Sequence, residues 1–228
     1  MRSGWLRYGV ARGLCYLWLA FGLAFGGMSG PADAVIASPG PAKLILAFGD
    51  SLMAGYMLKP GDGFAPQLEA ALRARGHAVT VHNAGVSGDT TAQGRARLNW
   101  VLTGLKAKPD LVIVELGAND MLRGQPVAAA KANLDAILAE LAKRGLPVVL
   151  AGMRASPNLG RDYVAQFDVI FPALAAAHRV SLYPFFMAGV TGVSGRQIDD
   201  GMHPNRAGVA AIVAGIRPVI ETALARTK

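Results

Sequence analysis

The chain is almost without cysteine. Its one cysteine among 228 residues, Cys15, lies in an apolar stretch near the N-terminus. Removal of that stretch would leave no disulfide framework, no thiolate metal site and no thiol at risk in an oxidising compartment. Charge is also sparse, at 17% of residues against 52% hydrophobic, a balance that excludes a disordered chain. The formal net charge of +8 comes from scattered Lys and Arg, with only 7% aromatic residues. A basic stripe with interleaved aromatics is missing, so nucleic acid is not implied as a partner. There is no G-x-S-x-G elbow, which disfavours the α/β-hydrolase fold. G-x-G-x-x-G, the Walker phosphate loop and H-E-x-x-H are missing too, and with them the usual signs of dinucleotide, nucleotide and zinc chemistry. Internal repeats and low-complexity tracts are also lacking.

What is present begins with a leader. Arg2, Arg7 and Arg12 precede the apolar stretch Gly13 to Met28, and Ala32-Asp33-Ala34 follows as a small-x-small site. This is the pattern of a secretory signal peptide over residues 1–34, with a mature chain starting near Val35 in the periplasm or outside the cell. A retained anchor is the competing reading. The stretch is short for a spanning helix of ~20 residues, and an anchor does not require the cleavage pattern, so no integral membrane anchor is expected after cleavage. Residues 35–42 read as a leader with little structure. One domain is expected over residues 43–228, a length suited to a single core.

Within that domain short apolar runs alternate with longer amphipathic segments. Leu44 to Phe48, Val79 to His82, Leu111 to Leu116, Val148 to Ala151 and Val180 to Tyr183 read as buried strands. Helical patterns lie near Phe64 to Arg75, Thr91 to Lys106, Val127 to Arg144, Asp162 to His178 and Arg206 to Ala225. The alternation, with strands too uniformly apolar to have a wet face, argues for an α/β fold with a parallel sheet covered on both sides. In such sheets a ligand sits beyond the carboxyl ends of the strands, so the segments just after each strand are the ones to inspect.

After the first strand comes Gly49-Asp50-Ser51, a serine at a strand-to-helix junction. Capping of the next segment would explain Asp50 and Ser51 as well as catalysis would. After the second comes Asn83-Ala84-Gly85-Val86-Ser87-Gly88-Asp89-Thr90, whose glycines leave backbone N–H groups open to approach. Ser87 and Asp89 are read as ordinary loop residues, with Asp89 or Thr90 capping the next helix. After the third comes Gly117-Ala118-Asn119-Asp120, where the Asn119 amide is placed to donate toward an oxyanion, although Asn and Asp are also common turn formers. Near the C-terminus stands Asp200-Gly201-Met202-His203-Pro204-Asn205. The three-residue step brings a carboxylate to an imidazole, fixing its tautomer and steadying the imidazolium. His77, His82 and His178 have no acid at such spacing and are assigned to surface or structural roles.

A serine, a glycine, an asparagine and an Asp-x-x-His pair, each just outside a strand end and in this order, resemble the SGNH hydrolases, also called GDSL esterases. The four family markers fall on Ser51, Gly85, Asn119 and His203. Gly117 to Gly124, Tyr183-Pro184-Phe185-Phe186 and Asp200 to Asn205 look most like the bacterial periplasmic lysophospholipase L1, thioesterase I and arylesterase group. The resemblance implies a three-layer α/β/α sandwich on a flavodoxin-like parallel sheet of about five strands. It implies Ser51, Asp200 and His203 as triad, with the Ser51 N–H, the Gly85 N–H and the Asn119 side chain as oxyanion hole. No cofactor and no metal are expected. The expected partner is a small acyl ester or thioester, and the expected state is a monomer. Met121, Leu122, Met153, Pro157, Phe185 and Met187, next to strand ends, are candidates to line an acyl groove, although such residues more often belong to the core. Two alternatives stand beside this reading: a carbohydrate O-acetyl esterase of the same fold, and a non-catalytic flavodoxin-like binding module.

Overall fold

Five apolar runs become five strands: β1 Lys43–Gly49, β2 Val79–Gly85, β3 Leu111–Glu115, β4 Val148–Ala151 and β5 Ser181–Tyr183. The structure is a computed structural model describing residues 42–227. The expected signal segment, its cleavage site, Cys15 and the leader as far as residue 41 lie outside the described residues. Eight α-helices are described: α1 Ser51–Ala54, α2 Phe64–Arg73, α3 Thr91–Gly104, α4 Ala118–Leu122, α5 Val127–Lys143, α6 Arg161–Asp168, α7 Ile170–His178 and α8 Arg206–Ala225.

The strands form one sheet in the order β2-β1-β3-β4-β5, and every neighbouring pair is parallel. The chain moves one way from β1 to β2, then crosses back over β1 and steps outward through β3, β4 and β5. Right-handed crossovers therefore put α2 on one face and α3, α5 and α7 on the other. The packing agrees, since α2 meets α8, α3 meets α5 and α5 meets α7. The order reverses between β1 and β3, which makes the crevice beyond their carboxyl ends the place for a ligand.

All five residues of β3 are buried, as a central strand in a covered sheet requires. β2 departs from the expectation of uniform burial. Val79 and Val81 are buried while Thr80, His82 and Asn83 are exposed, because β2 is an edge strand. The expected helix over Asp162 to His178 is two helices. Pro172 has no N–H to give the Asp168 carbonyl and its ring would press on that carbonyl, so α6 ends at Asp168 and Pro172 falls in the first turn of α7. The Asp168 side chain faces the β4 loop and accepts from Ala155 N–H at 2.8 Å. The helices α1 and α4 are too short for any periodicity to announce them.

α8 is long and apolar enough, by composition, to cross a membrane. It nevertheless buries Val209, Ile212, Val213, Ile216, Ile220 and Leu224. These cover α2 and the β4–β5 side of the sheet, so α8 is a core helix.

Candidate active site

Ser51 is the first residue of α1, and Asp50 before it is the N-cap. Asp50 Oδ1 accepts from Leu52 N–H at 3.0 Å, and Gly55, at φ 79°, ends the helix after one turn. The sequence therefore turns sharply out of β1 and sets the serine at the sheet rim. Ser51 is 9% exposed and its backbone N–H, in the first turn, has no partner within the helix.

Residues 197–204 form a small loop closed by an antiparallel bridge between Gln197 and Pro204 and by Ile198 N–H donating to His203 O at 2.9 Å. Asp200 Oδ1 accepts from Met202 N–H at 2.8 Å and His203 N–H at 2.9 Å. Its Oδ2 lies 2.6 Å from His203 Nδ1. Burial works against the charge on Asp200, but these bonds and the imidazole together hold its carboxyl below the ordinary value. With its proton fixed on Nδ1, the neutral ring presents Nε2 as acceptor, and Ser51 Oγ lies 2.8 Å from it. Tyr56 packs against the imidazole with ring centroids 4.6 Å apart and the planes tilted by 39°. Asn205 follows the loop and caps α8, its Oδ1 accepting from Gly208 N–H while its Nδ2 donates to the Gly195 and Gln197 carbonyls. One residue thus ties the histidine loop to α8.

Asn119 Nδ2 donates to Asp50 Oδ2 at 3.2 Å, which brings the β1 and β3 loops together and leaves one amide hydrogen for a ligand. Asp120, almost fully buried, accepts from Thr91 N–H at 2.7 Å and from Thr91 Oγ1–H at 2.6 Å, which joins the β3 loop to the start of α3. Gly85 is packed so closely that a Cβ there would lie 2.2 Å from Ala54 N. Its N–H is not free, as an oxyanion donor would be, because it donates to Asn83 Oδ1 at 2.9 Å. An oxyanion at this point must displace the Asn83 carbonyl oxygen. The helix after this loop is capped by Thr90 in a capping box with Gln93. Asp89 does not cap; it pairs with Arg97.

Ser51, His203 and Asn119 open onto a cleft of about 630 Å³ whose lining includes Met121, Leu122, Met153, Pro157, Phe185 and Met187. Leu122, at 57% exposure, stands on its rim, while Met153 and Met187 are buried in its wall. Ser87, read as a plain loop residue, lines the cleft as well. Tyr56 was not distinguishable in the sequence as a site residue, because an aromatic five positions after a serine carries no pattern of its own. None of the other histidines lines the cleft. His77 pairs with Glu221 and His178 with Asp135, while His82 is exposed on the edge strand. Among the described residues no group of three or more His, Cys, Asp or Glu is placed to hold a metal ion.

A hydroxyl, an imidazole and a carboxylate in hydrogen-bonded series, beside amide donors, are equipped for acyl transfer. The sequence pattern of the GDSL-like Lipase/Acylhydrolase family matches residues 47–211, nearly the whole span from the first strand to the last helix. The chain belongs to this GDSL family. It is 37% identical over 183 residues to "Esterase TesA" of Pseudomonas aeruginosa, covering 80% of this chain and 90% of that protein. It is 38% identical over 165 residues to "Thioesterase 1/protease 1/lysophospholipase L1" of Escherichia coli K12, covering 72% and 77%. Of solved structures, the SGNH-hydrolase family esterase AlinE4 matches with a TM-score of 0.70 and 46% identity over 82% of this chain and 99% of that one. As a GDSL hydrolase on a five-stranded parallel sheet, the chain is an enzyme that hydrolyses ester bonds.

Proposed function

We propose that Ser51 is the nucleophile, His203 the general base and acid, and Asp200 the residue that orients His203, in a periplasmic hydrolase of apolar acyl esters. The observation that carries this reading is the 2.8 Å contact of Ser51 Oγ with His203 Nε2 at an apolar cleft of about 630 Å³. Nε2 takes the hydroxyl proton as Oγ attacks the carbonyl. The oxyanion is met by the Ser51 N–H, the Asn119 amide and, once Asn83 yields it, the Gly85 N–H. Nε2 then protonates the departing alcohol or thiol, leaving an acyl-enzyme that water cleaves by the same steps. Thioesters and lysophospholipids belong to the proposed substrate range, because neither leaving group needs further machinery and the open cleft admits both. Met153, Phe185 and Met187 form the proposed acyl wall, with Leu122 and Pro157 at its mouth. Such a lining does not favour the sugar of an acetylated carbohydrate.

The test is a series of p-nitrophenyl esters of rising chain length on wild type and Ser51→Ala. We expect rates that rise beyond acetate, and a fall in kcat on the order of 10 000-fold or more for the variant. Equal rates for the two proteins would remove Ser51 from the mechanism, and activity confined to acetylated sugars would remove the acyl wall. Export is supported by Arg2, Arg7, Arg12, the apolar stretch and Ala32-Asp33-Ala34. Periplasmic extraction of cells producing the full chain should release a product whose N-terminus lies near Val35.

A further inference from the structure

Behind Ser51 lie two acids that the reaction as written does not use. Glu115 ends β3 and Asp50 follows β1; both have no exposed surface. The register places Glu115 against Gly49, and the carboxyl lies so near that a Cβ on Gly49 would be 2.7 Å from Glu115 Oε2. Glu115 Oε2 also lies 3.4 Å from the Asp50 backbone nitrogen, so the two acids are packed together at the ends of neighbouring strands. Among the described residues no cation pairs with either. Arg97, on α3, spends its guanidinium on Asp89 and on the Gly49 carbonyl and lies over the Phe48 ring. From β4 the residue in register with Glu115 is Ala151, and from α1 the close neighbour is Met53, neither of them ionisable. His203 is hydrogen-bonded to Asp200 and Ser51 and to neither of these acids.

Two carboxylates cannot both be charged in so dry a place, and one proton must remain. The donors decide which acid keeps it. Asp50 accepts from Leu52 N–H and from the Asn119 amide, both of which favour its anion. Glu115 accepts one long bond, from Asp50 N–H at 3.4 Å, and its Oε1 has no partner. We propose that Glu115 is a positioning residue for ester hydrolysis: as a neutral acid it donates to the Asp50 carboxylate, which holds the Asn119 amide in the oxyanion site. Ionisation of Glu115 would set like charges against each other and loosen both the amide and the cap under Ser51. Burial and the neighbouring Asp50 push Glu115 well above the usual carboxyl range. Burial raises Asp50 as well, but only to about 6, because Leu52 N–H, Glu115 and Asn119 pull against it.

The proposal rests on Ser51 as nucleophile, and the experiment separates the two. Glu115→Gln keeps a neutral donor of the same shape, and Glu115→Met removes it. With a p-nitrophenyl ester we expect the Gln variant to stay within about threefold of wild type and the Met variant to lose about 100-fold in kcat at little change in KM. Wild-type kcat should decline at alkaline pH where the Gln variant holds. The infrared difference between wild type and Glu115→Gln at neutral pH should show a protonated carboxyl band, a readout that needs no Met variant to fold. Absence of that band, or equal losses in the Gln and Met variants, overturns the role of Glu115 while an inactive Ser51→Ala leaves the nucleophile standing. An active Ser51→Ala would overturn both.

Discussion

Asp200 holds the imidazole with one oxygen and its own loop with the other. Replacing it with Asn exchanges an acceptor for a donor beside Nδ1, which favours the tautomer with its proton on Nε2, where the proposed attack by Ser51 needs an acceptor. Asp200→Asn should therefore lower kcat by about 10 000-fold with KM little changed, checked by steady-state kinetics on one ester. The hydrogen bonds that depress this carboxyl also favour the native state at neutral pH. That contribution is present above the ordinary carboxyl value and fades as acid protonates Asp200. The residues of this site differ in how far the sequence reveals them. Asp200 and His203 are legible because a three-residue step can bring them together in a tight turn, and Ser51 only in conjunction with them and with Gly85 and Asn119, each just outside a strand end. Glu115 is not, because an acid at the end of an apolar run has no pattern. Only the register of β1 with β3 brings it to Asp50.

At the scale of elements, α1 matters more than its four residues would indicate. It carries Ser51, and β2 presses on it through Gly85, where there is no room for a methyl group. Gly85→Ala must push α1 away from the rim. We expect a loss of about 1–3 kcal/mol in denaturant unfolding, together with a fall in kcat larger than that of a distant variant of equal stability. The main helices were readable from their 3.6-residue period and ended within a few residues of expectation. The break between α6 and α7 followed from Pro172, whose effect reaches back to a carbonyl four residues earlier and leaves the hydrophobic period intact. The uneven burial of β2 was hidden for another reason: which strand stands at an edge depends on the order of all five.

At the scale of the whole molecule, buried acids set how stability responds to pH. Asp50 gives up its proton near 3.8 in an unfolded chain but near about 6 in the folded one. Between those values the native state binds more protons, so the stability owed to Asp50 falls as pH rises. The stability of wild type relative to Asp50→Asn, which keeps a capping side chain, should therefore decrease between about pH 4 and pH 6. Denaturant melts at several pH values would measure it, and a difference independent of pH would deny the shift.

The parallel strands give the molecule a working end and a quiet one. At the quiet end the Lys43 ammonium donates to the Leu224 and Thr227 carbonyls and to Thr227 Oγ1, so the start of β1 and the last turn of α8 are fastened together. The cleft lies at the carboxyl ends of the strands, on the far side of the sheet from this fastening. An enzyme tethered to a bead or a surface just past Thr227 would therefore be gripped by its base, with its mouth turned toward the passing solution.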